Sequence, residues 1–338
     1  MIKLPRRKFL YGAATLPVMR GHIKEGGQGR ITMHHLIFVA ALFALTATSS
    51  LAFAQVPPDI AEGIRKIGPI VDGPGTQKLY APLFANQKEP YPNVTVVRDI
   101  AYGTDPLQKL DVFTAAPRPG AAKPVVVYLH SGGFERGDKH AAGSPFYDNI
   151  MLWLTRQGMV GVNMNYRLAP KHVWPAAHED LAAAVRWVQA NIAQHGGDPD
   201  RLVLWGTSAG ADLIAGYVGH PQFHGPKGHG VKAAIMLSGY YEEGVPAYFG
   251  TDPAERKKRL STEGLKKATI PLFVARTELD TPTAVEQGDA LKKGLCDAGR
   301  CPTYAVFKDH NHLSQSFSVG TTDTSVSGSI LEALRKVK

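Results

Sequence analysis

Leu202 to Gly219 reads LVLWGTSAGADLIAGYVG. An apolar, β-branched run ends at Gly206, Ser208 stands between Gly206 and Gly210, and small and apolar residues at helical spacing follow at once. This pattern predicts a strand, a sharp turn and a helix. Such a turn lifts one side chain clear of the backbone at the carboxyl end of a strand, beside the free N–H groups of a helix N-terminus. Ser208 is therefore the candidate nucleophile. Taken alone, the pentapeptide fits an ordinary strand-to-helix turn with a serine N-cap equally well, so its surroundings have to decide.

Those surroundings alternate between strand and helix. Val94 to Ile100 and Lys109 to Thr114 read as a hairpin around Gly103-Thr104-Asp105-Pro106. Val125 to Leu129 is a continuous apolar run, as expected of a strand buried on both faces, and it empties into His130-Ser131-Gly132-Gly133-Phe134. Strands at Val160 to Met164, Val231 to Leu237, Leu272 to Ala275 and Thr303 to Phe307 follow, separated by helical patterns such as Ala176 to Gln194, which Gly196-Gly197 stops. The alternation predicts an α/β fold, a mostly parallel twisted sheet flanked by helices with ligands at the carboxyl ends of the strands.

Acyl transfer through a serine needs a nucleophile, a base, an acid to orient the base, and N–H donors for the oxyanion. Each part has a candidate just after a strand. Gly132 and Gly133 supply N–H groups without side chains, and the N–H of Ala209 follows the nucleophile. Asp280 and Glu278 are rival acids after the strand ending at Ala275. His310 and His312 are rival bases after the last strand, histidine being the residue type that exchanges protons near neutral pH. The order serine, acid, histidine is that of the α/β-hydrolase fold. This chemistry calls for no cofactor and no metal.

From about Val94 onward the chain resembles the hormone-sensitive-lipase-like esterases, and most closely the branch that includes feruloyl and acetylxylan esterase-like enzymes and kynurenine formamidases. The resemblance rests on LDVF (110–113), HSGGF with RGDK (130–139), NYRLAP with WPAAHED (165–180), GGDPDRLVLWGTSAG (196–210), ELD (278–280) and HNHLS (310–314). It implies a triad of Ser208, Asp280 and His312, the last aligning with the family histidine that precedes an apolar residue, and an oxyanion hole of Gly132, Gly133 and Ala209. It further implies a carboxylic ester hydrolase acting on small-molecule esters. An amidase such as an arylformamidase would use the same triad, and a non-catalytic ligand-binding protein on this fold is the alternative from another class. Ser131 stands where the lipase-like pattern HGGG has its first glycine. A positive φ there would strain a serine by about 1 kcal/mol or more.

The remaining features bound the setting. The formal charge of +9 is concentrated at the amino end, where residues 1–54 hold seven Lys/Arg against Glu25 alone, leaving +3 for the rest. With no Lys/Arg stripe in that remainder, nucleic acid is not an expected partner. Residues 33–54, an apolar run ending in Ala52-Phe53-Ala54, read as a signal peptide, too short in its apolar part for the ~20 residues of a membrane span. Residues 1–32, with Arg6-Arg7 like the start of a twin-arginine signal, read as an upstream extension before a start at Met33. Export to the periplasm or medium follows, and an oxidising compartment favours a short-loop disulfide between Cys296 and Cys301 over two free thiols. Residues 55–93 read as an arm or lid, residues 94–338 as the hydrolase domain, and 238–270 as an insertion whose aromatics Tyr240, Tyr241, Tyr248 and Phe249 belong to core or pocket roof. His220, His224 and His229 are spaced too loosely for a metal site and read as a solvated loop. His178, Glu179 and Asp180 open a helix, where acids suit the dipole. The oligomeric state is not legible.

Overall fold

The computed structural model describes residues 55–337 apart from 117–119, 227 and 261. The readings of residues 1–54 as extension and signal peptide lie outside the described residues. Eight strands form one sheet: β1 (Val94–Ala101), β2 (Lys109–Ala115), β3 (Lys123–Leu129), β4 (Val160–Met164), β5 (Gly197–Thr207), β6 (Ala233–Leu237), β7 (Leu272–Leu279) and β8 (Thr303–Asn311). Their spatial order is β1-β2-β4-β3-β5-β6-β7-β8, with antiparallel pairing at β1–β2 and β2–β4 and parallel pairing from β4 to β8. The hairpin and the parallel sheet read from the sequence are both present, and the α/β-hydrolase reading of the fold is borne out.

Helices fill the crossovers: α1 (Pro58–Ile67), α2 (Gly73–Tyr80), α3 (Asp148–Arg156), α4 (Ala176–Asn191), α5 (Ala209–Gly219), α6 (Pro246–Phe249), α7 (Pro253–Arg259), α8 (Thr262–Leu265), α9 (Pro282–Asp297), α10 (Ser314–Phe317) and α11 (Ser325–Arg335). Among the described residues no helix is long and apolar enough to cross a membrane. The alternation of side chains along the central strands serves both faces of the sheet. Val125, Val127 and Leu129 of β3 join Leu202 and Leu204 of β5 in one core. Val126 and Tyr128 join Val203 and Trp205 in the other. Every residue of α5 is buried, so apart from Asp212 the helix carries small and apolar residues all round rather than on one stripe.

Three expectations shift. Helix α4 ends at Asn191 because the chain tightens over Ile192–His195 before Gly196 turns it at φ 75°. The closing helix, which the sequence places at Ser329 to Val337, runs from Ser325 to Arg335. The arm contains an additional helix, α2, which its two glycines and proline concealed. Asp72 caps that helix by accepting from Gly75 N at 2.9 Å. A third cluster then docks the arm, with Ile60, Ile64, Tyr80 and Phe84 packed on Phe146, Leu313 and Phe317. Cys296 and Cys301 are bonded, closing the turn between α9 and β8.

Candidate active site

The turn after β5 holds Ser208 at φ 56° and ψ −126°, a conformation that costs a non-glycine residue energy and is maintained by what surrounds it. Ser208 N donates to Leu237 O of β6 at 2.8 Å, and α5 starts at Ala209, whose N–H has no partner within the helix. The two flanking glycines are there for space rather than for φ. A side chain on Gly206 would strike the backbone of Gly210, and one on Gly210 would strike Leu129 O at the end of β3. The elbow therefore presses directly on the strand that leads into the glycine loop.

That loop carries Gly132 at φ 132° and Gly133 at φ 63°. Arg136 N donates to Gly132 O at 3.1 Å and closes the loop into a turn. Ser131 is absent from the residues with positive φ, so the strain foreseen there does not arise; it falls on Phe134, at φ 61°. The Ser131 hydroxyl instead shares a hydrogen bond of 2.7 Å with the Tyr147 hydroxyl. The loop is anchored from behind by the other motifs. Lys139 Nζ reaches Asp111 at 2.9 Å and Asp99 at 2.7 Å, its N–H donates to Asn165 Oδ1 at 2.5 Å, and Arg98 pairs with the same Asp111 at 2.8 Å. Burial opposes the charge on Lys139, but its two carboxylate partners outweigh that and raise its pKa.

Asp280 lies between β7 and α9, with Thr281 as the N-cap of α9. His312 Nδ1 is 2.6 Å from Asp280 Oδ1, and both side chains are buried. Asp280 also accepts from Thr281 N at 2.9 Å, from Thr277 N at 3.2 Å and from the Ser238 hydroxyl. Burial alone would raise the Asp280 carboxyl, yet the His312 imidazole, the Ser238 hydroxyl and the Thr277 amide hold it below the usual carboxylate range. The rivals are elsewhere. Glu278 is exposed and accepts from Asp309 N at 2.8 Å. His310 is buried between Ser314 at 2.8 Å and Ser325 at 2.9 Å, with Asp323 beyond.

Ser208, His312, Gly132 and Gly133 line one cavity of about 590 Å³. Val71 to Pro74 of the arm, Tyr240, Val245 and Leu313 complete its wall, with Arg136 at the rim. Of the insertion's aromatics only Tyr240 lines this cavity; Tyr241, Tyr248 and Phe249 are core, Tyr248 stacking on Phe134 with centroids 4.2 Å apart. His178 is buried under Tyr248, bonded to its hydroxyl at 2.9 Å, and burial lowers its pKa to about 3. Asp180 does more than favour a helix dipole, since it pairs with Arg167 at 2.8 Å. His220, His224 and His229 each bond to backbone, and no set of three metal-ligating side chains occurs among the described residues. The sequence reading missed Ser238 and Gln315; the arm, read from the sequence as an arm or lid, lends Val71 to Pro74 to the wall. Ser238 carried the same signal as the others, a polar residue directly after a buried strand.

A family model described as BD-FAE matches residues 110–228. Esterase LipC of Mycobacterium tuberculosis is 32% identical over 152 residues, 43% of this chain and 37% of the relative. Phenmedipham hydrolase of Pseudarthrobacter oxydans is 37% identical over 182 residues, 47% of this chain and 34% of the relative. This chain thus spans about a third of the length of these two relatives. Among solved structures, an esterase from the bacterial hormone-sensitive lipase family superposes with a TM-score of 0.58 at 23% identity, over 82% of this chain and 97% of that one.

Proposed function

We propose that this chain, an α/β-hydrolase by its fold and similar to the hormone-sensitive-lipase-like esterases, is an exported serine carboxylesterase acting on small or aryl carboxylic esters through an acyl-enzyme. The observation that carries the reading is the 2.6 Å Asp280–His312 pair, whose imidazole lines the same cavity as Ser208. An ionised Asp280 accepts a hydrogen bond from His312 Nδ1–H, which leaves the Nε2 lone pair of His312 as the base. Ser208 Oγ attacks the ester carbonyl carbon while Nε2 takes its proton. The oxyanion is received by the N–H groups of Gly132, Gly133 and Ala209, one such donor being worth about 3 kcal/mol in the transition state. The tetrahedral centre then expels the alcohol, protonated by His312, and water repeats the cycle on the acyl-enzyme.

A cavity of about 590 Å³ falls in the range that encloses a small organic molecule. Its Val71, Pro74, Tyr240, Val245 and Leu313 surfaces suit an apolar acyl or aryl group. The Cys296–Cys301 disulfide supports an oxidising compartment, in keeping with the leader-like residues 33–54. The test is hydrolysis of acetyl, butyryl and feruloyl aryl esters beside N-formyl amides. Ser208→Ala is expected to lose activity by ~10³-fold or more. Full activity in that variant overturns the assignment, and a preference for the amides turns the reading to an amidase.

A further inference from the structure

Behind Asp280 lies a second layer of donors with a fixed direction. Gln315 Nε2 donates to His312 O at 2.8 Å and to Ser238 Oγ at 2.6 Å. A carbonyl oxygen only accepts, so the contact with His312 O decides which end of the amide faces this way. The Ser238 hydroxyl thereby receives a hydrogen bond from Gln315, and its single proton is directed to Asp280 Oδ2, to which it is bonded. Gln315 Oε1 is buried without a partner among the described residues, a cost accepted on the far side of the amide to keep this orientation. Ser238 itself is 1% exposed and held at φ 52°, pinned by its N–H to Ala275 O at 2.8 Å.

We propose that Ser238, oriented by Gln315, is a positioning residue for catalysis: the chain Gln315 N–H, Ser238 O–H, Asp280 carboxylate, His312 Nδ1–H is polarised in one sense and fixes both the carboxylate rotamer and the imidazole tautomer. The inference rests on the proposed triad of Ser208, Asp280 and His312. With both lone-pair faces of Asp280 occupied, Oδ2 by Ser238 and Oδ1 by His312, the carboxylate has one arrangement available, and that arrangement keeps Nε2 deprotonated toward the cavity. Two residues after Ser238, the Tyr240 ring lies 5.9 Å from that of His312, and its hydroxyl is 3.0 Å from Thr281 Oγ1. The titratable groups facing this chain include Tyr240 and Tyr241, which follow Ser238, and Asp212 of α5, which accepts from Tyr240 N; burial raises the pKa of all three.

The decisive variant is Ser238→Gly. Glycine accepts φ 52° more readily than serine, so the backbone strain falls and the fold is kept while the hydroxyl is lost. The expected result is a kcat lower by about 10- to 100-fold, with KM changed less than about threefold and a thermal midpoint equal to or above that of the wild type. Loss of a donor also concentrates charge on Asp280, which holds the imidazolium more firmly and moves the acid limb of kcat/KM to higher pH. Ser238→Ala is expected to show the same kinetic change without the gain in midpoint. A Ser238→Gly enzyme with wild-type kcat and an unmoved acid limb overturns the inference, because a purely structural serine would behave in that way. The rate at which a fluorophosphonate labels Ser208 gives the same comparison without any ester. Wild-type protein that labels but hydrolyses no ester overturns the proposed substrate class, while slower labelling of Ser238→Gly still supports the chain. Equal labelling of the two proteins overturns it.

Discussion

Phe134, Ser208 and Ser238 hold φ of 61°, 56° and 52°, and none is glycine. Each such residue costs on the order of 1–3 kcal/mol, so the packing around the site over-determines its backbone. Asp212, one helical turn after Ser208, is a second place where local energy is given up. Its Oδ1 accepts from Tyr240 N at 2.5 Å, its Oδ2 is buried without a partner among the described residues, and burial pushes its pKa up to about 8. A carboxyl raised on folding binds more protons folded than unfolded, so it destabilises progressively between the unfolded value near 4 and the folded value near 8. Asp212→Asn keeps the acceptor for Tyr240 and removes the charge. It is expected to match the wild type near pH 4 and to be more stable at pH 9 by at least about 1 kcal/mol, or roughly 2–4 °C in thermal midpoint. Equal midpoints at pH 9 would show that Asp212 is not the group responsible.

At the scale of elements, the glycine loop after β3 is positioned by residues far from it in the chain. Lys139 lies 28 positions after Asp111 and 26 before Asn165, yet it touches both. The motifs LDVF on β2 and RGDK and NYRLAP in the loops after β3 and β4 are thus three parts of one anchor, which explains their company and which the sequence displayed only as a resemblance. Lys139→Met leaves the buried Asp111 with Arg98 but without its second cation. The expected cost is about 2–4 kcal/mol in urea unfolding, together with a fall in kcat larger than any rise in KM as the oxyanion donors loosen. An unchanged kcat would mean that the loop is set by its own turn. The central strands β3 to β6 were legible because burial on both faces demands unbroken apolar runs. Helix α2 was not, because Gly73-Pro74-Gly75 reads as a turn until Asp72 is seen to cap it.

Across the whole molecule, the arm reaches from the amino end to the residue after His312, since α1 and α2 close over Leu313 and Phe317 and Asn311 Nδ2 donates to Thr76 Oγ1 at 3.0 Å. The disulfide sits at the other end of β8, before Thr303, whereas His312 follows Asn311. Reduction is therefore expected to lower stability by about 2 kcal/mol, the value for so short a loop, and to leave kcat unchanged; a matching loss of activity would show that β8 transmits the change. By itself the sequence determined the strand order of chemistry, the parallel sheet and the candidates Ser208, Gly132, Gly133 and Ala209, because these depend on neighbours along the chain: an apolar run, a sharp turn, a helix start. It left Asp280 beside Glu278 and His312 beside His310 until family resemblance was added. Only the tertiary structure places Asp280 and His312 in contact, buries His310 between serines and turns Glu278 outward. The reason is physical: residues two apart on a strand share a face, so Asp280 parts from Glu278 and His312 from His310 only because each lies just past the end of its strand, where the β7–β8 pairing turns irregular, and the packing there sets its direction.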